Sequence, residues 1–434
     1  MNYVNQKIKI FNHTEQQKYL RLNLVDIASF GLIFIWAIYY IYAIFFRENI
    51  NFVIIIYTLI AFMFFLCFYL MYILTGGKTI VDNYSLFFIF IMLVTGVPGV
   101  FTGVFLNNHT IYTKWFFADF YKFIIVPLIG YIVYSGRKNI DLRIIMNVYM
   151  LFEFLGIIVG LIAVYHKMIF RVMGSGSGLP LIYIFLLFSI ITKDKKSRRK
   201  IIITWLGLLI VSMYVILMKA RLVILELIII FILMAITSII DRRYSLKRCV
   251  YFIIIVLFFF SMLYMYDSNF QLNINHYLNR IKYFKTDISI LGRFIEGQAA
   301  LKEITRNTFY FIFGKGFGGT YYSPRVFEFA GSEIYDQTNY MVHNIHIGPL
   351  NIWLHTGLFG VIIYYLVFPL IFLKTRAKAI TNIYSYTLFL WVIMKLFESF
   401  AALRFIGDTP SFVLLAYYLT YCKKMNNKSM LIKN

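Results

Sequence analysis

Apolar residues in this chain gather in long unbroken runs, without the strand alternation or amphipathic stripes of a water-facing domain. A helix that crosses a bilayer needs about 20 mostly apolar residues. Runs of that kind predict spans near 24–46, 50–74, 84–106, 115–134, 144–164, 177–192, 200–218, 222–240, 249–267, 348–373, 380–402 and 405–421. The sixth and the twelfth are the shortest. A polar stretch precedes the first run, which is also too long for a cleaved signal segment. The expected fold is an all-α integral membrane protein with about twelve transmembrane helices and one large, partly helical external loop between helices nine and ten. Residues 1–267 would hold the first nine spans, 268–347 the loop, and 348–434 the last three spans and a cytoplasmic tail.

Composition supports that class. The chain has 434 residues, of which 61% are apolar and 14% charged, against about 45–50% and about 25% in a soluble domain. A net charge of +23 would point to nucleic acid in a soluble protein. Here it follows the positive-inside pattern instead. With the N-terminus in the cytoplasm, the inside segments carry 25 of the 42 lysines and arginines and the short external loops carry 7. KDKKSRRK at 193–200 and DRRYSLKR at 241–248 are the strongest inside anchors. Both termini are therefore expected in the cytoplasm, with 268–347 outside. Cys67, Cys249 and Cys422 lie in or beside apolar runs and predict neither a disulfide framework nor a metal cluster.

The external segment is the place with room for a site. Its first part, QLNINHYLNRIKYFKTDIS, interleaves Arg280, Lys282 and Lys285 with aliphatic and aromatic residues. That pattern fits a helix lying on the membrane surface, or one wall of an anion-binding groove. LGRFIEGQAALKEITRN follows at 291–307. A helix beginning after Gly292 would set Phe294, Ala299, Leu301 and the alkyl part of Lys302 roughly on one face, and Arg293 in its first turn. Free backbone N–H groups there favour an anion, and a guanidinium adds a fork matched to phosphate oxygens. The plainer alternative is an Arg293–Glu296 ion pair.

FIFGKGFGGTYY then supplies Gly314, Gly316, Gly318 and Gly319. A nucleotide fingerprint would need a strand before it and a helix after it; a tight, backbone-exposing turn is the better reading. The segment ends with His343, His346 and His355 around the start of span ten. Their spacing does not require them to converge, and the nearby Glu333 and Asp336 show no metal-ligand pattern, so no metal and no cofactor are expected. Each histidine is either a neutral hydrogen-bonded group or a proton acceptor near neutral pH. Lys219 and Arg221 occupy a short turn between spans seven and eight, at the depth of lipid phosphates. Asp119, Lys122, Glu153 and Glu226 fall inside predicted spans, where ionisable groups face a bundle interior and pair.

Together these features resemble the O-antigen polymerase and O-antigen ligase superfamily. The likeness covers the plan of about a dozen spans with one large late external loop. It also covers three local signatures: Lys219-Ala220-Arg221, the glycine–arginine helix at 292–301 with its following G-x-G turn, and a histidine with leucine at +4 and glycine at +11 and +14. From His346 these are Leu350, Gly357 and Gly360, whereas the family's His-Asn pair stands here as His343–Asn344. Both histidines are therefore candidates, with the longer spacing favouring His346.

The resemblance implies a metal-independent glycosyltransferase that polymerises undecaprenyl-pyrophosphate-linked oligosaccharide repeat units on the external face of the membrane. It implies catalytic roles for His346 or His343 and Arg293. Arg221, Arg293, Lys219, Arg280, Lys282 and Arg306 would bind pyrophosphate. The expected partners are the lipid-linked oligosaccharides, membrane lipid, a chain-length regulator and a flippase, and no nucleic acid is expected. A ligase that passes the polymer to another acceptor uses the same parts. A transporter of the same lipid is the alternative from another class, and Pro98 within span three is its one supporting feature.

Overall fold

The computed structural model describes residues 24–45, 82–106, 113–136, 140–165, 178–192, 198–217, 228–233, 235–236, 245–266, 271, 275, 279, 282, 288–323, 340–380, 382–400 and 409–433. In chain order the helices are α1 (Leu24–Phe45), α2 (Asn83–Phe105), α3 (Trp115–Ser135), α4 (Leu142–Tyr165), α5 (Leu179–Ile191), α6 (Arg198–Leu217) and α7 (Leu246–Tyr266). After them come α8 (Ile288–Ile304), α9 (Thr308–Phe313), α10 (Gly348–Leu373), α11 (Arg376–Ala379), α12 (Ile383–Ser399) and α13 (Thr409–Lys433). The one sheet among the described residues is a two-residue antiparallel ladder, β1 (Tyr321–Tyr322) with β2 (Met341–Val342), pairing Tyr321 with Val342.

The protein is mostly helical, as the apolar runs require: without water, backbone N–H and C=O groups must pair within their own segment. Among the described residues four helices are long and apolar enough to cross a membrane: α2, α3, α10 and Leu142–Ala163 of α4. Their outward surface is apolar, with Phe105, Leu151 and Leu366 each more than half exposed, which is how a lipid-facing bundle differs from a soluble one. The predicted span at 177–192 becomes a 13-residue helix, too short to cross alone and buried along most of its length. The twelfth run becomes a longer helix than expected, because α13 continues past the apolar stretch through Lys423 and Lys424. The predicted span at 50–74 and most of 222–240 lie outside the described residues.

Prolines shape the helices that carry the site. Of four wide turns of the i to i+5 kind among the described residues, those at Met92–Gly96, Tyr121–Ile125 and Ile363–Val367 are each followed two residues on by Pro98, Pro127 or Pro369, while the fourth, Thr102–Leu106, is not. A proline ring lacks an N–H and collides with the carbonyl four residues back; a widened turn upstream relieves the collision without breaking the helix. A second break lies in α10 at Gly357, whose φ of 72° departs from the helix. A Cβ there would meet the Ile312 carbonyl oxygen at 2.0 Å, so the end of α9 packs directly on the kink.

At the end of the bundle away from these kinks, Asp82 caps α2. Its carboxylate accepts from the Tyr84 and Ser85 amides at 3.1 and 2.9 Å, from the Tyr134 hydroxyl at 2.6 Å, and from Lys423. Burial opposes its ionisation, but the Lys423, Tyr134 and Ser85 hydrogen bonds together outweigh it and hold the carboxyl below its ordinary value. One residue thus joins α2, α3 and α13. Asp82→Ala should cost about 1–2 kcal/mol, the loss of a cap plus its tertiary partners, read as earlier unfolding in detergent. Because the folded carboxyl is the stronger acid, its contribution is complete above pH about 4 and fades as pH falls further. A wild-type and Asp82→Ala pair that converges on acidification is the expected result.

Candidate functional site

The site lies where the α2 and α3 ends meet the start of α10. It is built by the glycine turn at 314–319, which leaves α9 and drops onto the bundle. Gly314, Gly316 and Gly318 have φ of 75°, 82° and 74°, the left-handed region that side chains disfavour. Gly316 also needs its missing Cβ, since one would stand 2.1 Å from the Gly103 amide nitrogen and 2.2 Å from Thr102 Oγ1 of α2. The Phe317 amide donates to the Gly99 carbonyl at 2.8 Å, and the Lys315 amide to Leu354 at 2.6 Å. Phe317 itself is fully buried and stacks on Phe123 of α3. The tight-turn reading of the glycine run is therefore correct.

Asp119 of α3 receives this turn. Its Oδ2 accepts the Gly318 amide at 2.9 Å, and the side chain is wholly buried. His343 and His355 converge on the same carboxylate. His343 Nε2 is 3.4 Å from Oδ1, and His355 Nδ1 is 3.3 Å from Oδ2. Lys122, one helical turn along, is 3.8 Å from Oδ1 and one-fifth exposed. His343 Nδ1 meets the Gly319 carbonyl at 2.9 Å, and the His343 ring stacks flat on Trp115 with centroids 4.9 Å apart. Spacing along the chain gave no reason for His343 and His355 to meet. Their ring centroids are nevertheless 4.6 Å apart, because the β-ladder and the glycine turn fold the segment before α10 back onto that helix.

His346 goes elsewhere. Its Nδ1 is 3.0 Å from Glu296 Oε2 and its backbone amide donates to the same oxygen at 3.2 Å. Glu296 is buried, and its Oε1 also accepts from the Tyr321 hydroxyl at 3.2 Å. A carboxylate can only accept, so the His346 proton sits on Nδ1 and Nε2 carries the lone pair. The His346 side chain is 46% exposed. It is the one histidine of the three whose ring is open to a ligand.

Glu296 belongs to α8, and here one expectation is corrected. The helix begins at Ile288, so Arg293 lies in its second turn and has no claim on the first-turn amides. The apolar residues before Gly292 continue the helical period, and the glycine is simply carried inside it. The buried face is Glu296, Ala300 and Ile304, which pack with Tyr321, Val342, Ile345 and Leu354 in a small second core. Phe294 and Leu301, which share another face, are 61% and 43% exposed. Arg293 is half-buried one turn before Glu296, on the same side of the helix.

Of the other candidates, Lys282 is exposed, and Arg306 is exposed beside Glu303 at 3.8 Å. Lys219, Arg221 and Arg280 lie outside the described residues, as does Glu226. Asp119 and Lys122 pair inside the bundle as intramembrane charges do, and Glu153 is buried. Glu296 as a partner of His346 was not foreseen. The signal was a lone acidic residue on a face that is otherwise apolar once the helix is started at 288.

The fold and site together define a mostly helical chain, consistent with an all-α membrane protein, with a polar site at one end of its bundle. No family model, no curated protein and no solved structure matches the chain.

Gly316→Ala should displace the turn from α2, at a cost of about 2–4 kcal/mol from left-handed backbone and overpacking. Gly207→Ala is the control, since a Cβ there meets Leu186 no closer than 3.4 Å. The first variant should lose its folded fraction in detergent and the second should keep it.

Proposed function

We propose that this protein is a membrane glycosyltransferase that polymerises lipid-linked (undecaprenyl pyrophosphate) oligosaccharide repeat units into a bacterial surface polysaccharide. In this reading the chain crosses the cell membrane about twelve times, both termini are cytoplasmic, and transfer occurs on the external face. The observation that carries the reading is the His346–Glu296 dyad: an open imidazole with its Nδ1–H held by a buried carboxylate. That arrangement leaves Nε2 ready to take a proton from a hydroxyl, the task a sugar acceptor requires.

The step balances on that basis. The acceptor hydroxyl oxygen attacks the anomeric carbon of the donor and its proton passes to His346 Nε2. The bond from that carbon to the carrier pyrophosphate breaks, and the pyrophosphate leaves with the electron pair. Its growing negative charge calls for fixed cations. Arg293, one turn from Glu296, and Arg221 are assigned that role, with Lys219, Arg280, Lys282 and Arg306 as auxiliary contacts. The energy is already stored in the activated lipid-linked sugar, so neither nucleotide nor cofactor enters the step. Between the two histidines the geometry favours His346, since His343 is buried under Trp115 and spends its Nδ1 on a backbone carbonyl.

A surface-polysaccharide gel from a deletion strain tests this. Loss of the gene should collapse the ladder to a single repeat unit, and wild type should restore it. His346→Ala should cut the rate by about 10²–10⁴-fold, Arg293→Ala should abolish product, and both should accumulate in the membrane at normal level. Full-length polymer retained on the carrier lipid would make the protein a ligase. An unchanged ladder would remove glycosyl transfer altogether.

A further inference from the structure

We propose that Asp119, His343 and His355 form a binding site for a divalent transition-metal ion of the zinc class. The inference stands apart from the polymerase reading and from the His346–Glu296 dyad. One donor atom from each of the three residues lies within 4.8 Å of the other two, and all three side chains are buried.

The argument starts from the His343 tautomer. Its Nδ1 faces the Gly319 carbonyl at 2.9 Å, and a carbonyl can only accept, so Nδ1 bears the proton. A neutral His343 therefore turns the lone pair of Nε2 toward Asp119 Oδ1, 3.4 Å away. Two electron-rich atoms then face each other in a dry interior, and neither has a hydrogen-bond partner. By the same rule His355 Nδ1, 3.3 Å from the Gly316 carbonyl, bears its proton, which leaves the lone pair on Nε2, also buried without a partner. Such a cluster is costly unless something positive sits within it.

Besides Lys122, 3.8 Å from Oδ1 and partly exposed, two things can supply the charge, and the distances separate them. A second proton on His343 would make an imidazolium–carboxylate bond, which draws in to about 2.7–2.9 Å. The observed 3.4 Å is longer than such a bond. Ligands on a tetrahedral zinc ion, at bond lengths of about 2.0–2.1 Å, stand about 3.3 Å from each other. The His343 Nε2 to Asp119 Oδ1 separation, 3.4 Å, matches that spacing.

The surroundings match as well. Metal-bound histidines commonly donate their other N–H to a carbonyl or carboxylate, which fixes ring and tautomer. His343 does so to Gly319, with Trp115 stacked on its face. Asp119 is oriented by the Gly318 amide on its other oxygen. Two imidazoles and a carboxylate suit zinc rather than calcium or magnesium, which prefer all-oxygen shells. Lys122, at 3.8 Å from Oδ1 and partly exposed, is the competing cation. The ion would pin three elements together: α3 through Asp119, the segment before α10 through His343, and α10 through His355.

The test uses the full chain purified in detergent, treated with chelator and then given Zn²⁺ or Co²⁺ alone. Wild type should take up a stoichiometric ion, with the visible absorption of tetrahedral Co²⁺. His355→Ala and Asp119→Asn should weaken uptake by at least about 100-fold, and His346→Ala should leave it unchanged. Lys122→Met should bind as tightly as wild type or more tightly, which keeps the test decisive if the ligand variants fail to fold. Monodisperse wild-type protein that takes up neither ion would overturn the proposal. So would uptake that Asp119→Asn and His355→Ala, both folded by gel filtration, do not reduce.

Discussion

The buried carboxylate of Asp119 is the constraint on which the site depends. A charge in a bundle interior must be met by donors or cations, and apart from Lys122 the groups gathered on Asp119 come from far along the chain. The Gly318 amide is 199 residues away in sequence, and the His343 and His355 rings are farther still. Satisfying one side chain thus brings the glycine turn, the β-ladder and the start of α10 onto the ends of α2 and α3. The glycines make this approach sterically possible, because Gly316 and Gly103 let two backbones touch where a Cβ would collide. The widened turns before Pro98, Pro127 and Pro369 let the long helices carry prolines near the site without losing continuity.

The catalytic candidate rests on that anchor indirectly. His346 is three residues beyond His343, and its partner Glu296 is fixed by Tyr321, which belongs to the ladder that follows the glycine turn. The arrangement separates two jobs. His343 and His355 are buried and hold the architecture, while His346 presents an exposed ring on a buried carboxylate. A proton acceptor needs an oriented imidazole with one nitrogen open, and His346 alone among the three has that form.

Much of the helical plan was legible in the sequence, because in a bilayer an apolar run must close its own hydrogen bonds. The runs at 84–106, 115–134, 144–164 and 348–373 appear as helices within a few residues of those bounds. The left-handed glycines were legible for an equally local reason. What composition could not convey was convergence. His343 and His355 meet through a ladder of two residue pairs and a turn, too short to leave a periodic signature. Asp119 gave only the general signal of an intramembrane charge, without naming its partners. The start of α8 was misplaced because Gly292 looked like a boundary, although the residues before it continue the helix. That shift of a turn moved Arg293 away from the helix start, and packing against the second core put Glu296 on the buried face beside His346 and left Phe294 exposed.

Hydrogen–deuterium exchange in detergent tests the anchoring role of Asp119 most directly. A hydrogen bond to a charged acceptor contributes about 1.5–3 kcal/mol. Asp119→Asn should therefore make the amides of Gly316 to Thr320 exchange about 10- to 100-fold faster, while those in the middle of α4 and α12 stay protected. Unchanged protection of the glycine turn in a folded Asp119→Asn protein would contradict the account, because the turn would then be held by something other than that carboxylate.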